Sequence, residues 1–240
     1  MKKINSLIFS ILLIVFTLIT ASSMAEIGGT DDNITWSLSA DGVLTISGTG
    51  RMKNYTVEET PSYLLPRDNR PWTSYLYDIT ACVIEKGVTS IGDNAFKSCE
   101  NMKSVIIPDG IAHIGNNAFD YCNSITRIDL PDSIDNDFIE FRYCTALESV
   151  SIPSSVKSFS VACCDALKSI SIPKGVTDIY FGECTALENI TIPDSVTYLC
   201  FVNCPALESI TIPESVTSIG AVSGCSSQQK LDTKFERLVS

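Results

Sequence analysis

The stretch CTALENITIPDSVTYLCFVNC, residues 184–204, holds one complete period of this chain. Leu187, Ile190 and Ile192 are apolar with polar residues between them, and Pro193 follows at once. Strict alternation at Ile190-Thr191-Ile192 predicts a short strand with one face buried. Proline donates no N–H and holds its predecessor extended, so Pro193 ends that strand and turns the chain. Val196, Leu199 and Phe201 form a second apolar set, which predicts another short extended piece on the opposite side before Cys204.

The period recurs. Cys99, Cys122, Cys144, Cys164, Cys184 and Cys204 are 23, 22, 20, 20 and 20 residues apart, and Pro108, Pro131, Pro153, Pro173, Pro193 and Pro213 keep the same register. Two residue types in one register mark an internal repeat. A unit this short with two apolar edges cannot bury itself, so each must stack on the next, about 4.8 Å along a common axis. The predicted fold is a β-rich solenoid of roughly 20–23-residue coils with parallel short strands. The Ile79-x-x-Cys82-x-Ile84 segment reads as the first rung, with Cys82 at a strand-core position. In the longer coils, SIGDNAFKSC (90–99) and HIGNNAFDYC (113–122), Ala95-Phe96 and Ala118-Phe119 read as a helical or 3₁₀ turn on the outer side.

The ends differ. MKK, the apolar run LIFSILLIVFTLIT and the small residues ASSMA predict a secretory signal peptide over 1–25. The alternative, an uncleaved anchor, is disfavoured because a membrane span needs about 20 apolar residues. Residues 26–78 read as an N-terminal cap region. It begins with a flexible lead-in, EIGGTDD (26–32). A β-hairpin follows around Asp41-Gly42, with Ile34, Trp36 and Leu38 on one face, and then a long polar loop over 51–74 that Trp72 packs down. The array is expected over 79–225. Leu231, Phe235 and Leu238 at helical spacing predict a capping helix over 226–240.

The repeats ITIPDSVTYL, ITIPESVTSIG, VIIPDGIAHIGNNAF and VIEKGVTSIGDNAF, with the lead-in NITWSLSADGVLTISGTGRM and Pro71-Trp72, resemble the BspA-like class of leucine-rich repeat surface proteins. The resemblance covers roughly 33–225. It departs from the general leucine-rich pattern, where Asn or Cys stands three residues after the last strand Leu. Here Gly110, Ser133, Ser155, Gly175, Ser195 and Ser215 hold that place. The resemblance implies an exported protein, secreted or on the cell surface, that adheres to host matrix or to other cells.

Composition excludes other classes. Two of the 17 basic residues lie in 1–25, which leaves 15 against 28 acidic ones, a net charge of −13. That balance argues against nucleic acid or anionic lipid as partner, and no membrane insertion is expected after signal cleavage. The single His113 reads as a surface residue, and no Gly-x-Ser-x-Gly elbow occurs. Acids are plentiful but fall at turns such as Asp194 and Glu214, so no catalytic set assembles and no enzyme is expected. No cofactor is implied. Asp132, Asp135, Asn136 and Asp137 match no calcium loop and read as a polar turn. With no Cys-x-x-Cys pair, zinc is not expected. The ten cysteines leave two readings, a disulfide framework or a ladder of buried thiols, with Cys163 and Cys200 the better oxidation candidates.

The outward strand positions remain. Ser104 and Ile106, Arg127 and Asp129, Ser149 and Ser151, Ser169 and Ser171, Asn189 and Thr191, and Ser209 and Thr211 form a stripe of small hydroxyls with one charged rung. The candidate binding residues are Arg127, Asp129, Ser149, Ser151, Ser169, Ser171, Asn189, Thr191, Ser209 and Thr211. Such a face suits hydrogen bonding to a protein or glycan ligand, and it equally suits a solvated strand in a structural scaffold protein without a specific ligand.

Overall fold

A computed structural model describes residues 27–57, 68–208 and 210–226. The expected signal peptide, most of the 51–74 loop tip, Ser209 and the expected capping helix beyond 226 lie outside these residues. The N-terminal strands are β1 (Ile27–Asp31), β2 (Ile34–Leu38), β3 (Val43–Gly48) and β4 (Gly50–Arg51), followed by a 3₁₀ turn at Thr73–Tyr75. Then come β5 (Ala81–Ile84), β6 (Val88–Ile91), β7 (Ser104–Ile106), β8 (His113–Ile114) and β9 (Arg127–Asp129). The remainder are β10 (Phe138–Arg142), β11 (Ser149–Ser151), β12 (Ser158–Ala162), β13 (Ser169–Ser171), β14 (Asp178–Gly182), β15 (Asn189–Thr191), β16 (Tyr198–Val202) and β17 (Ser218–Ser223). Among the described residues no α-helix occurs.

The strands wind into a β-solenoid of about seven turns. β2 and β3 pair antiparallel, Trp36 opposite Ile46, and β3 then pairs parallel with β5 and β5 with β7. The N-terminal strands therefore enter the same sheet as the first coils. The lead-in is not flexible: Ile27–Asp31 forms an edge strand on β2, because Gly28 and Gly29 let its backbone lie close against Trp36 and Ser37. In the coils from Arg127 to Thr191 this alternating piece forms one short strand each, pairing β9 with β11 and β13 with β15 in parallel, whereas Ile210-Thr211-Ile212 forms none. The second apolar set forms the longer sheet, in the order β10-β12-β14-β16-β17.

Inward residues stack into columns between the two strand faces. One is an aromatic spine. Trp72 lies 6.1 Å from Phe96, Phe96 5.6 Å from Phe119 and Phe119 6.5 Å from Phe141, all stacked. Val161 interrupts the spine, and Phe181 and Phe201 resume it at 5.4 Å. Phe96 and Phe119 are wholly buried, so the Ala-Phe turns of the long coils do not present their rings outside. They are hydrogen-bonded turns, with Ala95 N–H donating to Gly92 and Cys99 to Phe96. Trp72 anchors the spine by donating from Nε1 to the Ala95 carbonyl at 3.0 Å.

A second column is the thiol ladder, Cys99, Cys122, Cys144, Cys164, Cys184, Cys204 and Cys225, all buried. Cys82 stands apart from it, in β5 between Leu44 and Val105. All ten cysteines are free thiols in the structure. Burial pushes the Cys99 thiol up to about 12 and raises Cys82 and Cys122 as well, so these side chains behave as small apolar residues at neutral pH.

The residue before each of these cysteines is left-handed: Ser98, Tyr121, Tyr143, Cys163, Glu183 and Asn203 have φ between 53° and 62°. Each N–H donates to a carbonyl one coil ahead, for example Tyr121 to Arg142 at 3.0 Å and Glu183 to Val202 at 2.8 Å. The conformation costs an ordinary residue roughly 1–2 kcal/mol. It is held because each position closes a rung of inter-coil hydrogen bonds.

Candidate binding face

The short strands position the stripe. Burial alternates exposed–buried–exposed along β9, β13 and β15, so Arg127, Asp129, Ser169, Ser171, Asn189 and Thr191 point outward while Ile128, Ile170 and Ile190 face the core. Register stacks them: Arg127 beside Ser149, Asp129 beside Ser151, Ser169 beside Asn189, and Ser171 beside Thr191.

The charged rung closes on itself. Arg127 Nε donates to Asp129 Oδ2 at 2.7 Å, and both side chains are more than half exposed. A pair this exposed adds little stability. The carboxylate also raises the Arg127 pKa, so this rung presents a neutralised pair rather than a free cation.

Beyond this rung the stripe deepens into an open groove of about 470 Å³. Ser169, Asn189, Thr191 and Thr211 line it, with Ile170, Ile190 and Ile192 beneath. Four of the expected residues thus meet in one depression. Arg127, Asp129, Ser149, Ser151 and Ser171 lie on the same stripe outside the groove, and Ser209 is not among the described residues. The groove also includes Asp194 and Pro213, which the sequence reading assigned to turns. A signal was present: each strand runs directly into Pro and then a polar residue, so that residue stands at the end of the strand face. The wall is therefore hydroxyls, one amide and one carboxylate over an aliphatic floor, a set that hydrogen-bonds without strong charge.

Three of the serines at the Ser/Gly positions, Ser133, Ser155 and Ser195, bind neighbouring coils together, while the Ser215 hydroxyl is buried without a partner among the described residues. Ser133 Oγ accepts from Gly110 N–H at 3.0 Å and donates to the Ile111 carbonyl at 2.7 Å, and Ser195 Oγ accepts from Gly175 N–H at 3.2 Å.

The Asp132–Asp137 turn is built around Asn136. That side chain is buried, with Oδ1 accepting from Ile114 N–H and Nδ2 donating to the Ile114 carbonyl, both at 2.8 Å. It copies a strand backbone. Among the described residues no three His, Cys, Asp or Glu side chains converge as metal ligands. No helix among them is long and apolar enough to cross a membrane.

A family model for the BspA type leucine rich repeat region matches residues 74–181 and 159–235, with six copies. The chain belongs to the BspA-type leucine-rich repeat family. Leucine-rich repeat families are generally non-enzymatic, and members of this type are typically cell-surface proteins. Among solved structures, a T. pallidum leucine-rich repeat protein is similar at TM-score 0.57 and 20% identity, over 88% of this chain and 95% of that one. A leucine-rich repeat protein from Bacteroides ovatus has TM-score 0.45 and 22% identity over 83% and 69%. A leucine rich cell surface protein from Faecalibacterium prausnitzii has TM-score 0.30 and 20% identity over 87% and 88%. The first of these likenesses supports the fold. No curated protein matches.

Proposed function

We propose that this BspA-type repeat protein is an exported adhesion module that binds a protein or glycan on host matrix or neighbouring cells through the short-strand face. The observation that carries this reading is the groove in which Ser169, Asn189, Thr191, Asp194 and Thr211 bring donors and acceptors together over apolar residues. Peptide backbones and sugar hydroxyls both offer the complementary groups. The groove lacks the Trp, Tyr and Arg anchors of tight interfaces, so each contact is weak and affinity rises through repeated contacts along an extended ligand. Export rests on the expected signal peptide.

The test is binding of the purified protein to a panel of matrix proteins and glycans, beside the variant Ser171→Glu, Thr191→Glu, Thr211→Glu. Saturable binding, weakened about tenfold or more in the variant, is expected. Equal binding by both proteins would move the site off this face. Binding by neither would favour the structural scaffold.

A further inference from the structure

The groove differs from the rest of the stripe in the charges on its rims. Each short strand is bracketed by the residue before its first outward position and the residue after its proline. Around β13 these are Lys168 and Lys174, and around β15 they are Glu188 and Asp194. All four are exposed. Glu188 N–H donates to the Lys168 carbonyl at 3.0 Å, so the lysine-bracketed coil and the acid-bracketed coil are direct neighbours. Exposed Glu208 continues the acidic rim on the next coil. Arg127 and Asp129 close on each other at 2.7 Å. By contrast, Lys168, Lys174, Glu188, Asp194 and Glu208 form no ion pair among the described residues.

The floor opens at the same place. Ile128 in β9 is wholly buried, but Ile170 in β13 and Ile190 in β15 keep 8% and 9% exposure. Charges of both signs beside an aliphatic floor decide the class of ligand. Polysaccharides as a rule are uncharged or carry charges of one sign, and so answer only one of the two rims. A polypeptide carries both signs. In an extended segment alternate side chains face the same way, about 6.8 Å apart, and long side chains adapt that spacing to coils about 4.8 Å apart.

We infer that the groove takes an extended polypeptide segment bearing an acidic and a basic residue on one face, lying across the coils with its carboxylate on the Lys168–Lys174 coil and its cation on the Glu188–Asp194 coil. This deepens the binding reading above and rests on it. The methylene stem of the basic residue covers Ile190 and Ile192. Its charged end reaches Asp194, the one ionisable side chain among the described residues that line the groove. The two coils thereby orient the ligand, because the opposite placement sets like charges together.

The test selects a library of random peptides, displayed on phage, against three immobilised full chains. These are the parent, the variant Lys168→Gln, Lys174→Gln, and the variant Glu188→Gln, Asp194→Asn, Glu208→Gln. The substituted positions are exposed, and thermal unfolding checks that both variants fold. The parent is expected to enrich peptides with an acid and a base two or three residues apart. The variant without the lysines is expected to enrich basic peptides, and the variant without the acids acidic ones. A peptide selected by the parent is expected to bind either variant about tenfold more weakly, and to weaken likewise as salt rises from about 50 to about 500 mM. No enriched peptide, the same charge pattern in all three selections, or saturable binding of glycans alone would overturn the mixed-charge segment and leave the face as the binding site. Selected peptides that bind the Ser171→Glu, Thr191→Glu, Thr211→Glu variant as tightly as the parent would instead move the site off this face, and the binding reading would fail with it.

Discussion

The long coils around 90–122 and the short coils around 138–202 solve the same packing problem differently. Between Ile91 and Phe96, and again between Ile114 and Phe119, four residues form a turn. Between Ile139 and Phe141 there is one, Glu140, and the segment is a five-residue strand. Yet Phe96, Phe119 and Phe141 stack in one spine. The inward side chains stay in register across the change, while the backbone between them switches from turn to sheet. Side-chain columns therefore define the solenoid, and the strand is what remains when no residues are spare.

The junction of the two regions carries their polar singularities. Asn136 fills the gap between β8 and β10 with its amide. Asp120 is buried there, with Oδ1 lacking a partner. Its other oxygen lies 3.0 Å from the Asn117 amide, which also reaches Glu140 at 3.1 Å. Burial, then the Glu140 charge, push the Asp120 carboxyl up to about 6, against the opposing pull of Arg142 and Lys97.

The most severe way to break the comparison is to cut the shared spine on either side. Phe119→Ala and Phe181→Ala each remove a fully buried ring and are expected to cost about 3–5 kcal/mol in denaturant unfolding. Equal losses in one cooperative transition would support a common spine. A loss confined to one half of the chain would divide the array at the junction. A smaller effect is expected from Asn136→Ala, which leaves the buried Ile114 N–H and carbonyl without their partners, about 2–3 kcal/mol in the same measurement. No loss would mean the junction is closed by something other than this amide.

The smallest effect concerns pH. Because the Asp120 carboxyl is raised in the folded protein, from an ordinary 3.8 to about 6, the folded state holds its proton longer than the unfolded one. Stability therefore falls as pH rises from about 4 to about 6, and stays lower above that. Asp120→Asn is expected to remove this slope and to raise stability at pH 7.5 by about 1–3 kcal/mol. A pH profile unchanged by the substitution would show that the neighbouring charges already compensate the carboxylate.

Much of this architecture was legible beforehand, for a local reason. Alternation puts Ile190 and Ile192 inward whatever lies beside them, and the common register of Cys and Pro requires coils to stack. The groove was partly legible for the same reason, since Asn189, Thr191 and Ser169 are strand positions with known facing. Asp194 and Pro213 were missed because they follow the strand, where periodicity stops reporting direction.

What the amino-acid sequence determined by itself was the coil, its length and its inward residues, all of which follow from spacing within about twenty residues. What only the tertiary structure decided was every bond between coils. Nothing in Tyr121, Tyr143, Cys163 or Glu183 favours a left-handed backbone, yet all adopt it because their N–H groups meet carbonyls on the next coil. The serine hydroxyls of Ser133 and Ser195 likewise have partners about one coil away, a distance at which sequence periodicity specifies that residues stack but not which atoms meet.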